Sequence, residues 1–390
     1  VIPKSRPYFR LAEFLAALTP GQGVADFEAA IAAKTGAGYA LAFGYAHSGF
    51  YALLKVLNLT DVEIIIPAYT CDLVAEVIVK SGNIPVFVDI DLANFNMDLD
   101  QLKQALTPKT RMVVATPMFG YPTDVVKIKQ IVASEQLFIL EDAALSLPGA
   151  TCLHGEAGLF SFGPGKPLFA VRGGIVTTNN SDLYEKLRLY RNSQMSRLPS
   201  KEWAKRWLRL LITYFFQTDA AYATAIRLGL VNASFERSAT TMADTYDTPL
   251  ADFQARIGLS LLGKTDLLCA KRGERVAWYN QALAGTPNFT PAPQITGASY
   301  TYYTARIKNR DALQFSQKMY QRGIQTGRTY DYAIPNFIQY RSFAKKSFPQ
   351  AKQAGREVVN LPLHLELTES KAHYIADNVR QILQKNGLTE

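Results

Sequence analysis

Between about residues 60 and 180 the chain alternates short apolar runs with amphipathic stretches, and this rhythm leaves few architectures open. The runs Glu63–Pro67, Pro85–Asp89, Arg111–Thr116, Leu137–Glu141 and Gly174–Thr178 are rich in β-branched residues and short, as buried strands are. The stretches between them, Asp72–Ser81, Leu99–Leu106 and Asp124–Ser134, predict helices, with Asp98 where an N-cap belongs. Strand–helix alternation with near-continuous apolar strands predicts an α/β fold: a mostly parallel central sheet flanked by helices on both faces. Such a sheet receives its ligand outside the carboxyl ends of its strands, so the chemistry is sought there.

Beyond residue 185 the rhythm breaks. Lys201–Phe216 places Trp203, Trp207, Leu210, Leu211 and Tyr214 at helical spacing beside Lys201, Lys205, Arg206 and Arg209. This basic, aromatic helix belongs to an apparent insertion over 197–235. It packs on the core or on a partner, or it makes a peripheral membrane contact through 201–216. A long helix is expected from Phe253 to Leu283, a loop over 285–297, a strand at Tyr300–Lys308, and a helix at Asp311–Arg322 closed by Gly323. The expected division is a large domain over 1–284 and a smaller C-terminal α/β domain over 285–390.

Composition removes several classes. Of 390 residues, 48% are hydrophobic and 19% charged, so a large core can form and wholesale disorder is excluded. No apolar run approaches the ~18 residues of a membrane span. The first eighteen residues carry charges and show no leader-like apolar core, so a cytoplasmic location is expected. Three scattered cysteines, Cys71, Cys152 and Cys269, do not make a disulfide framework, and with the four histidines they show no metal-ligand spacing, so no metal is expected. The net charge of +9 comes without a nucleic-acid motif and reads as a solvated basic surface, so no nucleic-acid partner is expected.

Two features stand near strand ends. One buried strand closes on Glu141-Asp142. About 24 residues later Lys166 lies in the glycine-containing segment Phe160–Lys166, ahead of Gly173-Gly174. Pyridoxal 5'-phosphate needs both parts: a lysine amine to form a Schiff base with its aldehyde, and an acid to keep its ring nitrogen protonated. A third part, a phosphate seat, fits the Ser48-Gly49 turn that opens the apolar helix within Ala46–Leu53, because a helix N-terminus favours anions. Singly, each part has a plain structural use as a cap, a surface lysine or a helix start. Their order and placement together make the pattern specific.

With these residues in place, the chain resembles the DegT/DnrJ/EryC1/StrS family of sugar aminotransferases, of the aspartate aminotransferase superfamily (PLP-dependent fold type I). The landmarks are Ile2-Pro3, Arg6-Pro7, Ser48-Gly49, Ile65–Thr70, Pro85–Asp91, Phe119–Pro122, Leu140–Ala144, Phe160–Phe162 with Lys166, Gly173-Gly174, Asp252–Ala255, Ile257–Leu259, Arg322–Gln325 and Leu361–His364. The resemblance implies that Lys166 is the Schiff-base lysine and general acid/base and that Asp142 pairs with the ring nitrogen. It also implies that Ala144 packs on the ring, and that Ser48, Gly49, Phe50 and Ser161 serve the phosphate. It implies a homodimer with shared active sites. The implied reaction moves an amino group, glutamate being the expected donor, to a keto-sugar nucleotide in polysaccharide, lipopolysaccharide or secondary-metabolite biosynthesis. Alternatives are another PLP-dependent sugar-modifying enzyme, or a non-catalytic member that binds a partner or membrane surface.

Several positions depart from the family pattern. Leu145 stands where a glutamine is usual, Phe50 where a threonine is, and Cys71 where an aromatic is frequent. Asp247 aligns with an asparagine that reaches the partner's phosphate, and Pro249 with the arginine two residues on. Arg172, Arg328 and Lys308 are candidates for the diphosphate of a sugar nucleotide, and His47 reads as a structural hydrogen-bonder.

Overall fold

A computed structural model describes residues 1–21, 23–149, 154–195, 198–228, 246–309 and 311–384. Seven strands form the main sheet: β1 (Tyr39–Phe43), β2 (Glu63–Pro67), β3 (Ile84–Val88), β4 (Thr110–Ala115), β5 (Phe138–Asp142), β6 (Ala157–Ser161) and β7 (Gly174–Thr178). Their spatial order is β1-β7-β6-β5-β4-β2-β3. Six strands run the same way, and β7 alone is antiparallel to its neighbours β1 and β6. The reason is the connection. No crossover helix lies between β6 and β7, and a parallel pair needs one, so the chain turns back like a hairpin.

The uninterrupted apolar character of the strands follows from burial on both faces. Ile64 and Ile66 of β2, Met112 and Val114 of β4, and Leu140 of β5 join the core that includes the helices Ala46–Val56 and Asp72–Lys80. Ile65, Val113, Ala115 and Ile139 point the other way into a separate core with Val125 and Ile128. On β1, β6 and β7 the opposite face, with Ala42, Phe160 and Ile175, packs with Phe27 and Ile31. Alternate residues therefore serve different layers.

Asp98 does cap the helix Leu99–Ala105, its carboxylate accepting from the N–H groups of Asp100 at 2.9 Å and Gln101 at 3.2 Å. The single long helix expected from Phe253 to Leu283 is two, Asp252–Leu262 and Thr265–Ala282. The break falls at Gly263-Lys264, where glycine weakens the helix and the Thr265 hydroxyl caps the Leu262 carbonyl at 3.0 Å. The ammonium of Lys264 reaches the buried carboxylate of Glu13 on the N-terminal helix Leu11–Leu18.

A second, antiparallel sheet contains β8 (Phe289–Thr290), β9 (Tyr303–Ile307) and β10 (Val358–Leu361) in the order β10-β9-β8. The strand begins later than Tyr300 because Tyr300 has a positive φ of 46° and its neighbours Ser299 and Thr301 bond to Gly120 and Phe119. Residues 1–4 also lie with this part of the chain: Ile2 donates to the Gly323 carbonyl at 2.7 Å and accepts from Gln325 at 2.9 Å. Asp89, at the end of β3, is fully buried and accepts from Gln350 at 3.0 Å and Ala351 at 2.7 Å, the first N–H groups of the helix Pro349–Glu357. That carboxylate fastens the second unit to the main sheet through a helix N-terminus.

Among the described residues no helix is long and apolar enough to cross a membrane. The helix Ser200–Phe215 buries Arg206 and Leu210 and stacks Trp207 on Phe253, with ring centroids 4.7 Å apart. Tyr214 stacks on Phe14 at 4.6 Å. One side of this helix thus packs on the body of the protein, while Leu208 and Phe215 remain exposed. The segment 229–235 and residue 197, which belong to the expected insertion, lie outside the described residues, as does Cys152.

Candidate active site

The local folding of three strands sets the site. β1 delivers the chain at Phe43, β6 at Ser161, and β7 starts from the same level at Gly174, which is paired with both. β5 ends beside them at Asp142. A cavity of about 460 Å³ opens at this edge. Its walls include Tyr45, Ala46, His47 and Phe50 at the start of the helix after β1, Cys71 and Val74 at the helix after β2, Asp142 at the end of β5 with Ala144 just beyond it, Ser161 at the end of β6, and Lys166, Arg172 and Gly173 from the β6–β7 connection.

Alternation on β5 separates two adjacent acids. Glu141 turns away from the cavity, and its Oε1 accepts from the N–H groups of His154 and Gly155. Asp142 turns in. Its Oδ1 accepts from the Ala144 N–H at 3.2 Å, and among the described residues no cation is bonded to it. Burial pushes its pKa up, and the nearby charge of Lys166 partly opposes this. Lys166 has no hydrogen-bond or ion-pair partner for its ammonium among the described residues. It lies on a tight turn: its N–H donates to the Gly163 carbonyl at 3.2 Å, and Gly165 takes a φ of +78° that suits glycine. Tyr302 holds the Gly165 carbonyl at 2.9 Å.

Gln254, fully buried, fixes the rest of this connection. Its amide donates to the carbonyls of Ala170 at 3.1 Å and Arg172 at 2.9 Å, and its oxygen accepts from Arg206 at 2.6 Å. The landmark Asp252–Ala255 thus acts on the site from a distance, by clamping the loop that carries Lys166.

The helix Ala46–Val56 points its N-terminus at the cavity. Gly49 donates its N–H to the Tyr45 carbonyl at 3.3 Å, so the N–H groups without an acceptor inside the helix are those of Ala46, His47 and Ser48. Ser48 and Gly49 do not line the cavity. A Cβ on Gly49 would come within 2.8 Å of Val176 and 3.1 Å of Phe43, so this glycine serves close packing of the helix on the sheet. His47 is stacked on Tyr45 at 4.8 Å, and burial together with the charges of Arg172 and Lys80 lowers its pKa to about 4.

The structure thus brings Phe50, Asp142, Ala144, Ser161 and Lys166 to one cavity. Cys71 is also there, its thiol pushed up to about 11 by burial and by Asp72. Leu145 joins the apolar core instead, with its carbonyl accepting from the Thr301 hydroxyl. Asp247 is exposed, next to Thr248, whose carbonyl accepts from Gly44 at 2.8 Å. Arg328 faces Asp331 at 3.6 Å, and neither it nor Lys308 lines the cavity. Tyr45, Val74 and Val77 do line it and were not singled out in the sequence. Tyr45 could have been suspected from its place just before a helix start, whereas the valines read only as core. A second cavity, of about 700 Å³, shares Pro164 with the first and is lined in part by Arg6, Lys205 and Arg209.

Comparison with known proteins gives a consistent picture. The model of the DegT/DnrJ/EryC1/StrS aminotransferase family matches residues 10–380. A GDP-perosamine synthase of Caulobacter vibrioides is 26% identical over 385 residues, covering 93% of this chain and 91% of that protein. Among solved structures, the Helicobacter pylori PseC aminotransferase involved in pseudoaminic acid biosynthesis superposes with a TM-score of 0.78. It is 22% identical, covering 98% of this chain and 99% of the other. A candidate sugar aminotransferase from Streptococcus pneumoniae, solved in its PMP-form, gives 0.79 at 21% identity, covering 99% and 100%.

Proposed function

The chain belongs to the DegT/DnrJ/EryC1/StrS aminotransferase family, and on that premise we propose that its cavity holds pyridoxal 5'-phosphate and transfers an amino group from an amino acid to a keto-sugar nucleotide. The observation that carries the reading is the joint presence of Asp142 and Lys166 in one cavity, each without a side-chain hydrogen-bond or ion-pair partner among the described residues. The cavity suits the cofactor on three further counts. The buried Asp142 carboxylate lacks the cation that a protonated ring nitrogen would provide. The helix start at Ala46 and the Ser161 hydroxyl both face the cavity, and a helix N-terminus favours a phosphate. Ala144 leaves room for a flat ring above β5.

When bound, the cofactor supplies an aldehyde for amine exchange and a ring that accepts the electron pair of a broken Cα–H bond. The protein's part is positional and acid–base. Asp142 keeps the proton on the ring nitrogen. Lys166 Nζ takes the proton from the donor's Cα and returns a proton to the acceptor, work of a kind that contributes roughly 10²–10⁴-fold. Phe50, Val74 and Leu159 keep that end of the cavity apolar and exclude water. Glutamate is the expected donor. The diphosphate of the acceptor suits the neighbouring cavity with Arg6, Lys205 and Arg209. We also read the protein as a cytoplasmic homodimer with shared sites. The exposed Leu11, Leu15 and Leu18 on one helix and Leu208 and Phe215 on another support a covered surface.

Absorbance tests this reading. Wild-type protein incubated with pyridoxal phosphate should show the visible band of a lysine-linked cofactor, and Lys166→Ala should lose it. Added glutamate should then remove the wild-type band. No band in the reconstituted wild type would sink the reading.

A further inference from the structure

The cavity holds a cation that the scheme above leaves without a task. Arg172 lines it, between the β6–β7 connection and the first turn of the helix Ala46–Val56. Two contacts fix its place. Gly174, two residues on, lies so close to the helix start that an added Cβ would stand 2.3 Å from the nitrogen and Cα of Ala46. The Arg172 guanidinium is itself 5.3 Å from the centre of the Tyr45 ring, the residue immediately before that helix.

Among the described residues Arg172 makes no ion pair. Its surroundings are strongly positive. Arg206 and Arg209 are near enough for the Arg172 charge to disfavour their own, and Lys80 and Arg172 both act on His47. Among the described residues the acid that feels Arg172 is Glu202, which is already paired with Lys205 at 2.7 Å. Arg206, joined to the Arg172 carbonyl through Gln254 and lying 5.9 Å from the Tyr45 ring, is 2% exposed; its Nη1 donates to Gln254 and to the Pro249 carbonyl, while its Nε and Nη2 have no hydrogen-bond partner among the described residues. Lys80 is paired with Glu76 at 3.1 Å, but the three arginines have little counter-charge among the described residues, and beside a helix N-terminus they suit an anion.

We propose that Arg172, backed by Arg206, is the cation that binds the cofactor phosphate, supplied by the same chain that carries Lys166. This rests on the cofactor reading above. It also gives a physical account of two departures in the sequence. Asp247 is exposed and negative, and Pro249 carries no charge, so neither position can supply a cation to a phosphate. A guanidinium on the β6–β7 connection supplies that charge locally, and Gln254 holds the connection in place through the Arg172 carbonyl.

The test compares pyridoxal 5'-phosphate with pyridoxal, which differs only in lacking the phosphate. Full-length apoprotein is titrated with each and binding is read from the visible band, for wild type, Arg172→Gln and Arg172→Lys. Arg172→Gln should weaken pyridoxal 5'-phosphate roughly tenfold or more and leave pyridoxal unchanged, and Arg172→Lys should recover part of the loss. In wild type, inorganic phosphate should compete with pyridoxal 5'-phosphate and not with pyridoxal; this arm stands even if Arg172→Gln fails to fold. Equal losses for both ligands, wild-type affinity in the glutamine variant, or competition by phosphate against both ligands would overturn the proposal. A wild type that gives a band with neither ligand refutes the cofactor reading, and this proposal falls with it. A wild-type band that is insensitive to Arg172 refutes this proposal alone.

Discussion

Replacing Gly174 with alanine should damage stability and cofactor binding together, because this residue is where the helix start and the sheet touch. The added Cβ would meet the nitrogen and Cα of Ala46 at 2.3 Å and the carbonyl carbon of Tyr45 at 2.6 Å, whereas real Cβ atoms essentially never come within 3.0 Å of such neighbours. All three are backbone atoms and cannot rotate aside. The helix must retreat by about 0.7 Å to reach even that limit. Gly174 is also paired with Phe43 and Ser161, so the strain passes to both neighbouring strands. Overpacking of this kind costs about 1–3 kcal/mol. The same shift moves Ala46 and His47, which line the cavity, and a misplacement near 1 Å can lower turnover on the order of 10²-fold. Denaturant melts of the apoprotein and titration with pyridoxal phosphate read the two effects. Gly273→Ala is the control: it lies inside the helix Thr265–Ala282 with nothing within 4 Å of the new carbon, and should gain up to about 1 kcal/mol. A Gly174→Ala protein with wild-type stability and wild-type cofactor affinity would refute the claim that the contact sets the site.

Three further outcomes follow from the same geometry. Burial raises the pKa of Asp142 above its ordinary 3.8, so its ionisation opposes folding of the apoprotein: the penalty is absent below that pH and grows as pH rises through the folded-state pKa. Asp142→Asn apoprotein should therefore melt higher than wild type near neutrality, converge with it near pH 3, and fail to convert glutamate. Gln254→Leu should cost about 1–3 kcal/mol by leaving the Ala170 and Arg172 carbonyls and Arg206 short of partners, and should weaken pyridoxal phosphate binding although residue 254 does not line the cavity with Lys166. Asp89→Ala removes the cap on the helix Pro349–Glu357 and should cost about 0.5–2 kcal/mol in a denaturant melt, with the absorbance of the bound cofactor unchanged.

The central sheet was legible because its strands are buried on both faces, and such strands write themselves as continuous β-branched runs. β2 and β7 appear with the boundaries the sequence suggests, and β3, β4 and β5 within one residue of them. β1 was missed because Tyr39–Phe43 contains two alanines and lacks β-branched residues, so composition does not mark it. The direction of β7 could not be read from its own residues. It depends on what the connection from β6 omits, a crossover helix, and apolar patterning is the same for either direction. The association of residues 1–4 with the second unit was hidden for a different reason. It rests on backbone hydrogen bonds at Ile2 and Lys4, and these leave no trace in side-chain pattern.

At the site, legibility divides by the kind of interaction. Asp142 and Lys166 carry charge, stand near strand ends and can be found by type and spacing. Even so, the choice between Glu141 and Asp142 depends on strand parity, since one residue of slippage would exchange the acid that enters the cavity for the one bonded to His154 and Gly155. The wall of the cavity around Arg172 is harder to read, because it is made of relations between segments: a glycine that lets β7 touch a helix start, a buried glutamine that holds a loop through its carbonyls, an arginine without an ion pair among the described residues. None of these is a motif. Each becomes visible only when residues 45, 172, 206 and 254 come together, and that meeting depends on β7 running against its neighbours, since a parallel β7 would carry Arg172 and Gly173 to the opposite edge of the sheet.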